Sequence, residues 1–418
     1  MELSELNPWW KSGSVEKEYE EALERELFRG VMKVIDDRQI VSLIGLRRVG
    51  KTTLLHQIIH SLLHRGIAPE QIVYYTFDVG NIALEAILKQ HAELFPSCKE
   101  KKLFVFLDEI QKLDGWHNQL KVLYDTHRLF KFFVSGSASL FIEKMTKESL
   151  AGRMFSFTLS PLSFSEHLRA RRFQHTNVQL YAKELQEQLM HYLKTGGFPE
   201  LLHERADEKI KLYLKDAVLD RLIYIDIPRI FKIEEPELLL RIFTIISANP
   251  GMLVDFNKLG SDLGRNRKTI AAYLFYLEKA LLVKRFYNFS SNVLTNEKKS
   301  KKFYPASSAF SFFFNADITR LAETVVAAHL QSKFFYRFGN KEVDFIVPEG
   351  KNAEAIEVKY VSTLKKEHSD GLRYFYGVFS KKFDVHCTMI TKDVGESIKS
   401  EDVAIRVVPL YEWLLRET

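Results

Sequence analysis

Residues 39–65 read QIVSLIGLRRVGKTTLLHQIIHSLLHR. A short apolar run is followed by a glycine-bounded turn and then by a helical stretch, the strand–loop–helix context in which G-x-x-x-x-G-K-[ST] cradles phosphates. Gly45, Gly50, Lys51 and Thr52 fill the four defining positions. The glycines let successive backbone N–H groups turn toward an anion, and the helix N-terminus adds partial positive charge. On this reading Gly45, Arg47, Arg48, Gly50, Lys51, Thr52 and Thr53 bind ATP. Lys51 neutralises the β- and γ-phosphates, and the Thr52 hydroxyl binds Mg²⁺.

Working outward, QIVYYTFDV, KLFVFLDE, KFFVSGSAS and FSFTLS are further near-continuous apolar runs separated by helical stretches. Strands buried on both faces read this way, so the pattern predicts a parallel α/β sheet with right-handed crossovers. KLFVFLDE ends in Asp108 and Glu109, at the strand tip where ligands of open α/β sheets bind. Asp108 is expected to help hold Mg²⁺, and Glu109 to polarise the attacking water. The next run ends in Ser135-Gly136-Ser137, whose hydroxyls either touch the γ-phosphate or only cap a strand end. Arg153, just before the fifth run, is either an arginine finger for a neighbouring subunit or a surface salt bridge.

The chain has 418 residues, 46% of them hydrophobic and 13% aromatic, enough for more than one core and too apolar for a disordered chain. No apolar run approaches the ~18 residues of a spanning helix, and the first residues, MELSELNPWW, lack the character of a secretory signal. A soluble, cytoplasmic protein without membrane contact is expected. Cys98 and Cys387 build neither a disulfide framework nor a four-cysteine zinc site. The net charge is +6, yet residues 258–302 hold eleven Lys and Arg against three acids. That segment is therefore +8 and the remainder −2, the pattern of a polyanion-binding patch.

GLRRVGKTT, FLDEIQ, SGSAS and LAGR followed by LSPLSFSEHL, in this order and spacing, resemble the prokaryotic AAA+-like ATPases of the archaeal type that carry a conserved C-terminal region. The resemblance covers nearly the whole chain. It implies an ASCE P-loop core with an acidic catalytic residue matching Glu109, a helical lid, and assembly into a homo-oligomeric ring, a hexamer fitting that description. The core is expected over residues 1–162 and the lid over 163–232.

Three helical patterns and a hairpin over 233–306 have the outline of a winged helix. In KTIAAYLFYLEKALL, Ile270, Leu274, Leu277 and Leu281 recur on one face and predict its core side. Arg265, Arg267 and Lys268 crowd the N-terminal end of this helix, while Lys298, Lys299, Lys301 and Lys302 fall on the wing. These seven are the candidate DNA contacts, to backbone more than to bases; a solvated basic face or a protein-binding module is the competing reading.

Over 307–418 the pattern returns to α/β. EVDFIVPEG and AEAIEVKY predict a hairpin that brings Asp344, Glu357 and Lys359 together, with Glu323 in the preceding helix. The set resembles PD-(D/E)xK nucleases and implies a restriction-endonuclease-like fold, although Glu342-Val343 replaces the usual Pro before the first Asp. Glu323, Asp344 and Glu357 would hold Mg²⁺ and Lys359 would position water; a solvated Glu/Lys ladder is the alternative. The expectation is an ATP-hydrolysing enzyme that acts on DNA, with cleavage open; a non-cleaving, ATP-switched regulator with a degenerate nuclease fold is the second reading.

Overall fold

The computed structural model describes residues 2–137, 150–290, 300–395, 398–399 and 403–416. They form two compact units, Met1–Leu162 and Ser163–Thr418. No helix among the described residues is long and apolar enough to cross a membrane.

The first unit is built on β1 (Ile40–Gly45), α1 (Lys51–His64), β2 (Ile72–Thr76), α2 (Leu84–Leu94), β3 (Leu103–Asp108), α3 (Trp116–Thr126), β4 (Phe130–Gly136) and β5 (Met154–Leu159). The strands lie in the order β2-β3-β4-β1-β5, and every pairing is parallel. Residues 72–75 and all of β3 are buried, as a sheet covered on both faces requires. At the β2 edge Asn7 acts as a surrogate strand: its side chain accepts from the Tyr74 N–H at 2.7 Å and donates to the Tyr74 carbonyl at 2.9 Å. The indoles of Trp9 and Trp10 donate to the Ile72 carbonyl. The N-terminal segment therefore blunts an edge that would otherwise present unpaired backbone groups.

The second unit begins with a capping box, Ser163 with Glu166, and continues through α4 (Ala182–Thr195), α5 (Pro236–Ala248), β6 (Met252–Val254), α6 (Phe256–Leu263), α7 (Arg267–Lys279), β7 (Val283–Asn288) and β8 (Lys301–Pro305). There follow α8 (Ser308–Phe313), α9 (Ile318–His329), β9 (Phe334–Phe338), β10 (Lys341–Glu349), β11 (Asn352–Lys359), α10 (Asp370–Phe379), β12 (Asp384–Thr391), β13 (Ile398–Lys399), β14 (Ala404–Pro409) and α11 (Leu410–Arg416).

The expected boundary at 306/307 does not divide this unit. The described strands form one sheet, β13-β14-β12-β11-β10-β9-β7-β8-β6. The join is the parallel pairing of β7 with β9, Tyr287 opposite Phe334 and Asn288 opposite Phe335. Nor is the helical stretch after Ser163 a separate lid: Leu185, Leu189 and Leu193 of α4 share a core with Phe286 and Tyr304 of the hairpin strands and with Phe345, Ile356 and Trp413 beyond them. Apolar faces that a small helical subdomain could not cover alone are buried in common. Ile270, Leu274 and Leu277 of α7 are buried as expected, whereas Leu281 lies past the helix end at positive φ and is half-buried.

Helix α10 lies directly on β10, and a Cβ on Gly371 would collide with the Glu342 carbonyl oxygen. Gly371→Ala is expected to destabilise the second unit by about 2 kcal/mol, the usual cost of overpacking, measured as a lowered denaturant midpoint with unchanged slope.

Candidate functional site

In the first unit the turn after β1 closes tightly. A Cβ on Gly45 would meet the Leu159 carbonyl oxygen of β5, so no larger residue fits without displacing backbone. Arg48 and Gly50 both have positive φ, 64° and 95°, the local geometry that turns consecutive N–H groups toward one point. Arg25 braces the turn from outside by donating to the Val49 carbonyl at 2.8 Å and the Ser160 carbonyl at 2.8 Å. Lys51 is buried, with Nζ 3.0 Å from the Leu46 carbonyl and 3.9 Å from Glu109 Oε1.

Because β4 lies between β1 and β3, Ser135 sits beside the two strand ends that carry the turn and the acids. Thr52 Oγ1 donates to Asp108 Oδ2 at 2.7 Å, Tyr74 donates to the same oxygen at 3.0 Å, and Ser135 donates to Asp108 Oδ1. Burial, then the Asp108 carboxylate, pushes the Tyr74 phenol far up, so it remains a donor. Glu109 takes the left-handed conformation at φ 53°, and its carboxylate accepts from Gln111 Nε2 at 2.5 Å. Lys51, Thr52, Asp108, Glu109 and Ser135 are thus drawn together from three elements. Thr53 is half-buried on the first turn of α1, Arg47 half-buried and Arg48 exposed on the turn, and Ser137 is buried just past β4. Hydroxyl and carboxylate oxygens side by side, next to a buried ammonium and an N–H-rich turn, fit a Mg²⁺-bound nucleotide triphosphate.

Arg153 lies at the opposite end of the strands from this turn, next to the β5 residue that faces Ile40, the start of β1. It forms a two-pronged ion pair with Asp125, at 3.0 and 3.2 Å. The salt bridge is the reading realised within the chain.

Tyr74, Arg25, Gln111 and His56 are site residues that the motifs do not reveal. His56 stacks on Tyr19 with ring centroids 4.0 Å apart and packs against Tyr74; its place one turn beyond Thr52, on the same helix face, is the signal that could have found it.

The basic segment is less exposed than its charge count suggests. Arg267 and Lys268 are exposed at the start of α7, which Asn266 caps, and Arg265 pairs with Glu235. Lys284 is turned inward onto the Ala327 and Ala328 carbonyls, and Arg285 pairs with Glu278 at 2.9 Å. Lys301 is half-buried over the Tyr287 ring. Lys298 and Lys299 lie outside the described residues. The expectation that Lys302 follows phosphates on an exposed wing is corrected: it is 3% exposed, on the same strand face as buried Tyr304.

Lys302 instead enters the carboxylate cluster of the same unit. Its Nζ lies 2.6 Å from Glu342 Oε1, 3.4 Å from Asp344 Oδ1 and 4.0 Å from Glu323 Oε1. Burial alone would lower its pKa, but the carboxylates of Asp344, Glu323 and Glu342 more than reverse this, so the ammonium stays charged. Asp344 Oδ2 accepts the Val358 N–H at 3.0 Å, Tyr304 donates to Glu323 Oε1 at 2.5 Å, and Lys359 Nζ lies 2.5 Å from Glu357 Oε1. The structure therefore gathers Glu323, Asp344, Glu357 and Lys359 as expected and adds Lys302, Glu342 and Tyr304. Strand alternation held that signal: Glu342 is two residues from Asp344, and Lys302 two from Tyr304. Among the described residues no group of three or more His, Cys, Asp or Glu side chains is disposed to hold a metal ion. His329, half-buried and hydrogen-bonded through Nδ1 to the Val325 carbonyl at 2.8 Å, has its pKa pushed down to about 4, chiefly by desolvation.

A family profile described as an AAA domain matches residues 37–168, and two described as domains of unknown function, DUF8612 and DUF4143, match 186–309 and 319–413. The first places an AAA-type ATPase domain, and with it nucleotide binding, on the part of the chain that carries the turn and the acids. The uncharacterized protein MJ1544 of Methanocaldococcus jannaschii is 30% identical over 92% of this chain and 90% of its own length. An uncharacterized protein of Haemophilus influenzae is 25% identical over 94% of this chain and 99% of its own. MJ1637 of M. jannaschii is 28% identical over 65% of this chain and 61% of its own length.

Burial, then the charge of Asp344, raises the Glu323 carboxyl to about 7 and the Glu357 carboxyl to about 8. Both hold a proton more tightly folded than in the unfolded chain, where Glu titrates near about 4.3. Their contribution to stability is therefore complete below that value and is lost as pH rises through about 7 and 8. Thermal melts between about pH 5 and 9 should show this decline, shallower in Glu357→Gln; an unchanged slope in that variant would show Glu357 ionised throughout.

Proposed function

The chain belongs to the same family as protein MJ1544 of M. jannaschii, and we propose that it is a switch that hydrolyses ATP and transmits the change to DNA held by its second unit. The observation that carries the reading is the meeting of Thr52 and Asp108 at 2.7 Å beside Lys51 and Glu109. The N–H groups of the turn and Lys51 would hold the β- and γ-phosphates. Glu109, its carboxylate tethered by Gln111, would take the proton of the water that attacks the γ-phosphorus as the bond to ADP breaks. Mg²⁺, held through Thr52 and Asp108, would supply charge neutralisation on the phosphate oxygens.

Assembly belongs to the same proposal. Arg153 lies away from its own phosphate turn and would serve a neighbouring copy once it leaves Asp125. For DNA the support is the exposed pair Arg267 and Lys268 at the start of α7, the end of a recognition helix that meets a groove. A non-cleaving machine is favoured over an endonuclease by the ammonium of Lys302 within the carboxylate cluster.

Lys51→Ala should weaken ATP binding at least about tenfold. Glu109→Gln should keep binding and lose about 10²–10³-fold in kcat, followed by fluorescent-nucleotide titration and phosphate release; full turnover in Glu109→Gln would remove Glu109 from the mechanism. In DNA titrations across salt concentrations, Arg267→Glu with Lys268→Glu should weaken binding and reduce the log–log salt slope by about two. An unaltered slope would move the DNA contact elsewhere.

A further inference from the structure

The carboxylates of the second unit resemble a nuclease metal centre in sequence order, so their capacity for a divalent ion can be tested oxygen by oxygen. Mg²⁺ requires about six oxygen ligands in near-octahedral array, and a two-metal centre requires carboxylates free to bridge. Asp344 has neither oxygen free: Oδ1 faces Lys302 and Oδ2 accepts the Val358 N–H. Glu323 Oε1 accepts from Tyr304, and Oε2 lies 3.7 Å from Arg320. Glu342 is divided between Lys302 and Arg337, at 2.6 and 3.3 Å, and Glu357 Oε1 is held by Lys359. Of these carboxylate oxygens, Glu357 Oε2 is the buried one without a hydrogen-bond partner. One such oxygen does not make a coordination sphere.

The charge count points the same way. Four cations, Lys302, Lys359, Arg320 and Arg337, already stand against the carboxyl groups of Glu323, Glu342, Asp344 and Glu357. A divalent ion entering this set would bring further positive charge to carboxyl groups that already face four cations, and would sit against the buried Lys302 ammonium. Room is also denied: a Cβ on Gly251 would come 2.7 Å from Glu323 Oε1 and 2.8 Å from the Tyr304 hydroxyl, so backbone closes over that side.

We propose that Lys302 is the resident counter-cation of this cluster and takes the place of a divalent ion, so that the second unit carries a nuclease-like carboxylate set that binds no metal. The ammonium also has a mechanical role, because it ties β8 of the hairpin to β10 and α9 of the same unit. The inference does not depend on ATP hydrolysis and stands if that reading fails.

The test uses the full chain without nucleotide, titrated with Mn²⁺ and followed by calorimetry and by the electron spin resonance of free Mn²⁺. Wild type and Asp344→Asn should take up the same amount of ion. Lys302→Met should gain a site at least tenfold tighter than any in wild type, absent from the Lys302→Met/Asp344→Asn double variant, while Lys302→Arg should behave as wild type. Wild-type uptake that Asp344→Asn abolishes overturns the proposal, as does a folded Lys302→Met that gains nothing. Should Lys302→Met fail to fold, the comparison of wild type with Asp344→Asn decides alone: equal uptake upholds the counter-cation, and an extra ion in wild type refutes it.

Discussion

A charged group that leaves water must find its counter-charge or its hydrogen bonds, since the desolvation of one unpaired ion costs several kcal/mol. Both units are arranged around that requirement. In the first, Asp108 is 2% exposed and is accommodated by the hydroxyls of Thr52, Tyr74 and Ser135, each from a different element. That network fixes α1 against β2, β3 and β4, and so fixes where the phosphate-binding turn begins. In the second, Lys302 and its carboxylates bind β8, α9 and β10 into one body.

The same requirement explains the fate of other lysines. Lys131 donates to the carbonyls of Val34, Asp37 and Gln39 at 2.6–2.8 Å, and Lys284 to those that end α9. Burial draws each of their pKa values down to about 8, yet the carbonyl oxygens satisfy the ammonium protons. Such lysines serve as caps for chain ends that would otherwise leave orphan acceptors. Within residues 258–302, Lys284, Arg285 and Lys302 are therefore given to internal partners, whereas Arg267 and Lys268 stand exposed at the start of α7.

The two acidic centres differ in what their surroundings permit. Around Asp108 and Glu109 the partners are neutral hydroxyls, an amide and the one ammonium of Lys51. Around Asp344 the partners are fixed cations and a backbone N–H. Similar residue types meet mostly neutral donors in one unit and cations in the other.

The sequence alone determined the glycine-bounded turn after β1, the place of the pair Asp108-Glu109 at the end of β3 and the parallel sheet that carries them, because each is local: consecutive residues of one strand, one turn and one helix. It also determined that Asp344, Glu357 and Lys359 share a hairpin, since strand alternation acts over two residues. What only the tertiary structure decided is which distant side chains complete those centres. Tyr74 reaches Asp108 across adjacent strands, and Lys302 reaches Asp344 from forty-two residues away. A lysine run reads alike whether it faces solvent or a buried acid, and only the pairing of β7 with β9, formed between segments far apart in the chain, sends Lys302 inward.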